Sequence, residues 1–228
     1  MPTPPPPPTT PPSSYAQQLI RADATPVTTA SAWAAERVEL KLVLDPPLAT
    51  RVIRLLPERL ARDVRDDVLA RRELSRLTPP RPRAAFRVGA AAAAAKLRRW
   101  YAEAHRPSGV AWQLLAAVNL VESDFGRMRE ASVAGAQGPM QFMPSTWASY
   151  GRGDVHDPHA ILGAARFLRA AGAPADERGA LHRYNPSWAY VDAVERYAGR
   201  IRRDPRAFLR YSLRPPVVRT PKGYVRLR

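Results

Sequence analysis

Proline decides where this chain can continue a regular structure and where it must stop. It has 25 prolines in 228 residues, and eight lie among the first twelve, at Pro2, Pro4 to Pro8, Pro11 and Pro12. Such a tract favours an extended polyproline helix without internal hydrogen bonds and acts as a semi-rigid spacer. Residues 1–31 are therefore expected to form a Pro-rich, disordered linker. Between the later prolines, apolar residues recur at threes and fours, the spacing that stripes one helix face. Val52, Leu55, Leu56, Leu60, Val64, Val68, Leu69, Leu74 and Leu77 follow this spacing, with a break expected at Pro57. Pro79, Pro80 and Pro82 close the stretch, giving a helical extension over 32–83.

The helical pattern continues through a central segment, 84–204. Ala84 to His105 reads as one long Ala-rich helix, because alanine is the best helix former. Arg106-Pro107-Ser108-Gly109 breaks it, and Val110 to Phe125 is the next helix, with Gly126 at its stop. A Gly- and Ser-containing loop follows. Helices are then expected from Pro144, over Ala160 to Ala171, over Pro174 to Arg183 and over Pro186 to Ile201. After Asp204-Pro205 the pattern dissolves into a short basic tail, 205–228. There Val217, Val218, Tyr224 and Val225 flank Pro221-Lys222-Gly223 and suit a small hairpin. The fold class is mainly α.

The net charge of +16 is unevenly spread. Residues 107–201 carry nine Arg and nine Asp or Glu, whereas 202–228 carry nine Lys or Arg against one Asp. A basic flank can hold an anionic polymer or a membrane surface by non-specific attraction. The neutral centre offers no basic surface interleaved with aromatics, so nucleic acid is not an expected partner. No cysteine is present, which removes disulfides, thiolate zinc sites and cysteine nucleophiles. No apolar run approaches the length that spans a bilayer. Met1-Pro2-Thr3-Pro4 does not open a charged start followed by an apolar stretch, so no secretion signal is visible. A removed signal, a misplaced start and an intracellular protein all fit that observation.

Three blocks carry the chemistry: Val121-Glu122-Ser123 at a helix end, Gly135-Ala136-Gln137-Gly138-Pro139-Met140-Gln141-Phe142-Met143-Pro144, and Leu181-His182-Arg183-Tyr184-Asn185. Glu122 follows Asn119-Leu120-Val121 on an amphipathic helix, beside an apolar cluster. Partial burial there raises a carboxyl pKa, the direction a proton donor needs. A paired-carboxylate mechanism needs a second acid. Asp124, two residues on, lies about 200° round a helix and points away. Asp154 and Asp157 lie in a loop that could approach Glu122, but no motif places them there. A lone acid fits substrate-assisted glycoside chemistry. His156-Asp157-Pro158-His159 is too short, and too poor in further ligands, for zinc. Phe142, Trp147 and Trp188 read as core. No metal and no cofactor is expected.

In this order and spacing, the blocks resemble the lytic transglycosylases that share the lysozyme fold. Gly138-Pro139-Met140-Gln141-Phe142-Met143-Pro144-Ser145-Thr146-Trp147 looks closest to wall-directed members with a Gln-Gly-Pro-Met-Gln motif. The similarity covers about Val110 to Ile201. It implies a lysozyme-like helical domain with extra N-terminal helices, acting as a monomer on peptidoglycan glycan strands outside the cytoplasmic membrane. Glu122 would protonate the bond between N-acetylmuramic acid and N-acetylglucosamine. It would then act as base on the muramic 6-hydroxyl, leaving a 1,6-anhydro end. The muramic acetamido group would stabilise the cation.

The resemblance assigns substrate contacts to Ser123, Ser132, Met140, Gln141, Met143, Tyr184 and Asn185. Ser132 would orient the acetamido group or the acid. Gln141 and Met143 would line the sugar groove. Tyr184 would hydrogen-bond near Glu122 and help set its protonation, and Asn185 would hold that turn. Arg183 stands where the family usually has Ala. A muramidase that uses water, and a wall-binding protein without turnover, are the alternatives.

Overall fold

The computed structural model describes residues 10–90 and 92–227. The first nine residues of the Pro-rich lead lie outside the described residues. The mainly helical expectation holds, and so does the C-terminal hairpin. The elements are α1 (Pro12–Ala24), α2 (Thr29–Leu44), α3 (Pro46–Ile53), α4 (Glu58–Leu77), α5 (Ala94–Ser108), α6 (Trp112–Ser123) and α7 (Pro144–Tyr150). They continue with α8 (Ala160–Ala170), α9 (Glu177–Tyr184), α10 (Trp188–Arg203), α11 (Pro205–Leu213), β1 (Val217–Thr220) and β2 (Gly223–Arg226). The strands pair antiparallel, Val217 opposite Arg226 and Thr220 opposite Gly223. Among the described residues, no helix is long and apolar enough to cross a membrane.

Three segments differ from the sequence-based expectation. Pro12–Ala24 is a helix, not an extended linker. Pro12 stands at the helix start, where its fixed φ suits the turn and its missing N–H costs nothing. Ala16, Leu19 and Ala22 then bury one face. The long helix expected from Ala84 begins only at Ala94. Residues 87–89 instead pair with 127–129: Val88 bridges Met128, the Gly89 N–H donates to the Arg127 carbonyl over 2.8 Å, and the Arg129 N–H donates to the Arg87 carbonyl over 3.0 Å. Tertiary pairing overrides alanine's helix propensity here. The third difference is the tail. Asp204 caps α11 through Oδ1, which accepts from the Arg206 N–H at 2.9 Å, and Pro205 fills the first helical position. Ala207, Phe208 and Tyr211 bury its inner face.

Two apolar clusters result. One joins α5, α6 and α8 to α11 around Leu97, Tyr101, Leu115, Ile161, Leu181 and Val194. The other joins α1 to α4 around Leu19, Val38, Leu42, Leu60 and Val64. The seam between them is ionic. Asp63, Asp66 and Asp67 of α4 face α10. There Arg203 reaches Asp63 at 3.2 Å and Asp66 at 2.6 Å, Arg196 reaches Asp66 at 3.3 Å, and Arg200 pairs with Asp67. Tyr211 of α11 also donates to Asp67. Glu36 of α2 takes Arg214 at 2.5 Å and also pairs with Arg71. Arg214 of the short basic tail is thus a buried partner of an acid far away in sequence.

Candidate active site

Helix α6 is nearly all apolar and buried from Leu114 to Leu120, which fixes its rotation in the core. Glu122 occupies its last turn, partly buried. The chain then turns sharply: Asp124, Phe125 and Gly126 take φ of 52°, 62° and 77°, three left-handed residues in a row. The loop 135–143 folds back over the helix end and is fastened to it. Asn119 Nδ2 donates to the Pro139 carbonyl at 2.8 Å and Ser123 Oγ donates to the same carbonyl at 2.5 Å. Ser123 Oγ also accepts from the Gly126 N–H at 2.8 Å, and Tyr101 donates to Asn119 Oδ1 at 2.7 Å.

The loop is itself a tight hairpin. Gln137 and Phe142 exchange backbone hydrogen bonds of 2.9 and 2.8 Å. Gln141 sits at φ 49°, its Nε2 donating to the Gly138 carbonyl at 3.0 Å. Gly138 has φ 76°, and a Cβ there would lie 2.0 Å from the Val155 carbonyl oxygen. Only glycine fits that approach.

Around Glu122 stand two phenols. Tyr190 of α10 donates its hydroxyl to Oε1 of Glu122 at 2.6 Å. Tyr184, at the end of α9, donates to the Met140 carbonyl at 2.7 Å. Burial pushes the Glu122 carboxyl from its ordinary value up to about 7, against the Tyr190 hydrogen bond, which lowers it. Burial first and the Glu122 charge second hold both phenols well above their ordinary range, so they remain donors.

The sequence-expected residues divide on this geometry. Glu122 and Tyr184 come together, but the phenol bonded to Glu122 is Tyr190, not Tyr184. Met140 is fully buried, and it is its carbonyl that Tyr184 uses. Ser123 is buried and spends its hydroxyl on the loop. Ser132 Oγ accepts from the Ala136 N–H at 2.9 Å and so closes its own turn. Gln141 is partly buried and Met143 is exposed, on the loop's outer side. Asn185 ends α9, and its carbonyl accepts from the Ser187 N–H at 2.7 Å. Arg183 donates to the Ala171 carbonyl at the end of α8, a tie an alanine could not make. Phe142 is core as expected, whereas Trp188 is exposed, stacked on His182 at 4.3 Å with Arg178 over its ring.

Tyr190 escaped the sequence reading because, with Val191, Val194, Tyr197 and Ala198, it follows the apolar spacing of α10 and reads as core. The other acids are engaged elsewhere. Asp124 pairs with Arg127 at 2.7 Å, Asp154 Oδ1 accepts from the His156 N–H at 2.9 Å, and Asp157 Oδ1 accepts from the His159 N–H at 2.7 Å. A separate cleft, lined by Lys96, Arg99, Trp100, Glu103, Asp157 and His159, does not include Glu122.

A partly buried carboxyl at the end of a helix thus lies under a Gly-containing hairpin, with a phenol on one oxygen and its proton held up to about pH 7, an arrangement able to donate a proton near neutral pH. Residues 99–195 match the family model of the Transglycosylase SLT domain. No curated protein and no solved structure matches the chain. The SLT domain implies a lytic transglycosylase acting on peptidoglycan.

Proposed function

We propose that the protein cleaves the β-1,4 bond between N-acetylmuramic acid and N-acetylglucosamine, with Glu122 as its single acid and base, and leaves a 1,6-anhydro-muramic end. One observation carries the reading: the Glu122 carboxyl is partly buried, is held protonated up to about pH 7 and has a phenol on Oε1. With Oε1 occupied by Tyr190, the proton sits on Oε2 and faces the leaving oxygen. General acid catalysis needs that form near neutral pH. Once the proton has gone, the same oxygen accepts one from the muramic 6-hydroxyl, so no second carboxylate is required. Asp124, Asp154 and Asp157 are each occupied by other partners, which favours this route over a paired-carboxylate hydrolysis.

Gln141 and Met143 line the sugar groove in this reading, and Tyr184 and Asn185 support its floor. Ser123, Ser132 and Met140 act through the loop they fasten instead of touching sugar. The chain works outside the cytoplasmic membrane, where peptidoglycan lies, as a monomer, and its outward-facing basic flanks add affinity for anionic wall polymer or membrane surface.

Mass spectrometry of sugars released from purified peptidoglycan, by the protein beside Glu122→Gln, tests the assignment. Anhydro-muropeptides from the unsubstituted protein alone support it. Reducing ends would convert it to a muramidase, and wall binding without release from either protein would make it a binding protein.

A further inference from the structure

The turn that ends α6 is held in place from outside the segment 99–195. Left-handed φ at Asp124 and Phe125, both non-glycine residues, is costly and persists only where surrounding structure over-determines it. Arg127 supplies much of that constraint. Its Nε donates to the Asp124 carbonyl at 2.9 Å, and Nη2 lies 2.7 Å from the Asp124 carboxylate. Nη1 donates to the carbonyls of Arg214 at 2.5 Å and Ser212 at 3.3 Å, and Nη2 donates to that of Tyr211 at 3.2 Å. These are carbonyls at the end of α11, which a helix cannot satisfy internally. The Phe125 ring packs edge-on against Phe208 of α11, with centroids 5.6 Å apart. Arg214 extends the same tie to Glu36 of α2.

We propose that Arg127 is a positioning residue for Glu122: its guanidinium fork locks the left-handed turn onto the end of α11 and so fixes the last turn of α6 and the direction of the Glu122 carboxyl. The inference rests on the reading of Glu122 as the acid. Glu122 precedes the turn by two residues, so slack in the turn passes directly to its backbone. A loosened carboxyl becomes hydrated. Burial is the larger influence on its proton, so hydration lowers its affinity for that proton even as the Tyr190 contact weakens. A residue that merely helps the chain fold would change the amount of native protein but not the rate or the pH response of each native molecule.

The test compares the full chain with Arg127→Gln, Arg127→Lys and Glu122→Gln. Release of soluble muropeptides is measured per folded molecule across pH. The expected result for Arg127→Gln is a kcat loss of about 10- to 100-fold with little change in KM, because the defect is one of alignment. Its alkaline limb moves to lower pH, and Arg127→Lys, which keeps the charge but not the fork, recovers part of kcat. A wild-type kcat and alkaline limb in folded Arg127→Gln overturns the proposal, as does a loss that lies only in the amount of folded protein. Should Arg127→Gln fail to fold, Arg127→Lys is read in its place, and an unchanged kcat and limb there overturns the proposal. Full activity in Glu122→Gln removes the acid assignment, and the positioning role with it. An inactive Glu122→Gln beside an unaffected Arg127→Gln removes the positioning role alone.

Discussion

The Tyr190 hydroxyl donates to Oε1 of Glu122 across 2.6 Å, joining α10 to the last turn of α6. This contact favours the charged carboxylate, whereas burial favours the neutral acid, and burial prevails, with the pKa at about 7. The two influences make separable predictions.

Tyr190→Phe removes the contact that lowers the Glu122 pKa and leaves burial in place. The alkaline limb of kcat should therefore move to higher pH, by about one unit if the charge-assisted bond contributes about 1.5 kcal/mol. A pH profile of muropeptide release checks this. The direction is opposite to that expected for Arg127→Gln.

Glu122 should also limit stability. Its folded pKa of about 7 lies above the ordinary 4.5. A raised folded pKa means that the folded protein keeps a proton the unfolded chain has lost. Its contribution is fully present below about pH 4.5 and falls away as pH rises through about 7, by up to about 3 kcal/mol. Glu122→Gln should match the unsubstituted protein in acid and exceed it at pH 8. Urea unfolding at the two pH values measures the difference.

The ionic seam predicts an asymmetry. Arg200→Met removes the ionic partner of the Asp67 carboxylate, which is 6% exposed, and leaves it the Tyr211 hydroxyl, so it should destabilise by about 3 kcal/mol. Changing both partners to apolar residues of similar size should recover most of that loss. Thermal unfolding of the two variants decides it.

Ser123→Ala leaves the Gly126 N–H without its acceptor and weakens the grip on the Pro139 carbonyl. A cost of about 1–3 kcal/mol is expected from the stranded buried donor. Substrate affinity should follow the loop, so KM rises with temperature before global unfolding. A temperature series of KM against the melting curve tests this order.

How much of this was legible in the sequence depended on distance along the chain. The partly buried place of Glu122 at a helix end was legible because the apolar stripe and the helix stop lie close together in sequence. The role of Met140 was not. Its side chain turns into the core while its carbonyl faces Tyr184, a reversal set by the left-handed residue at Gln141 that no periodicity reports. Tyr190 has the spacing of a core residue and is one, apart from a single hydroxyl. Arg214 read as part of a solvated tail because its partner Glu36 is 178 residues away. Helix α1 was masked by prolines that disfavour a helix interior but suit its first turn.

Asp23, at the end of α1, pairs with Arg210 of α11 at 3.3 Å, and Arg206 donates to the Asp23 and Thr25 carbonyls at 2.8 and 3.1 Å. The first and last helices thus clasp each other. Helix α1 cannot peel away without breaking its ties to α11, so the two helices open together. A nick that frees α1 should therefore be felt at α11, almost two hundred residues away along the sequence.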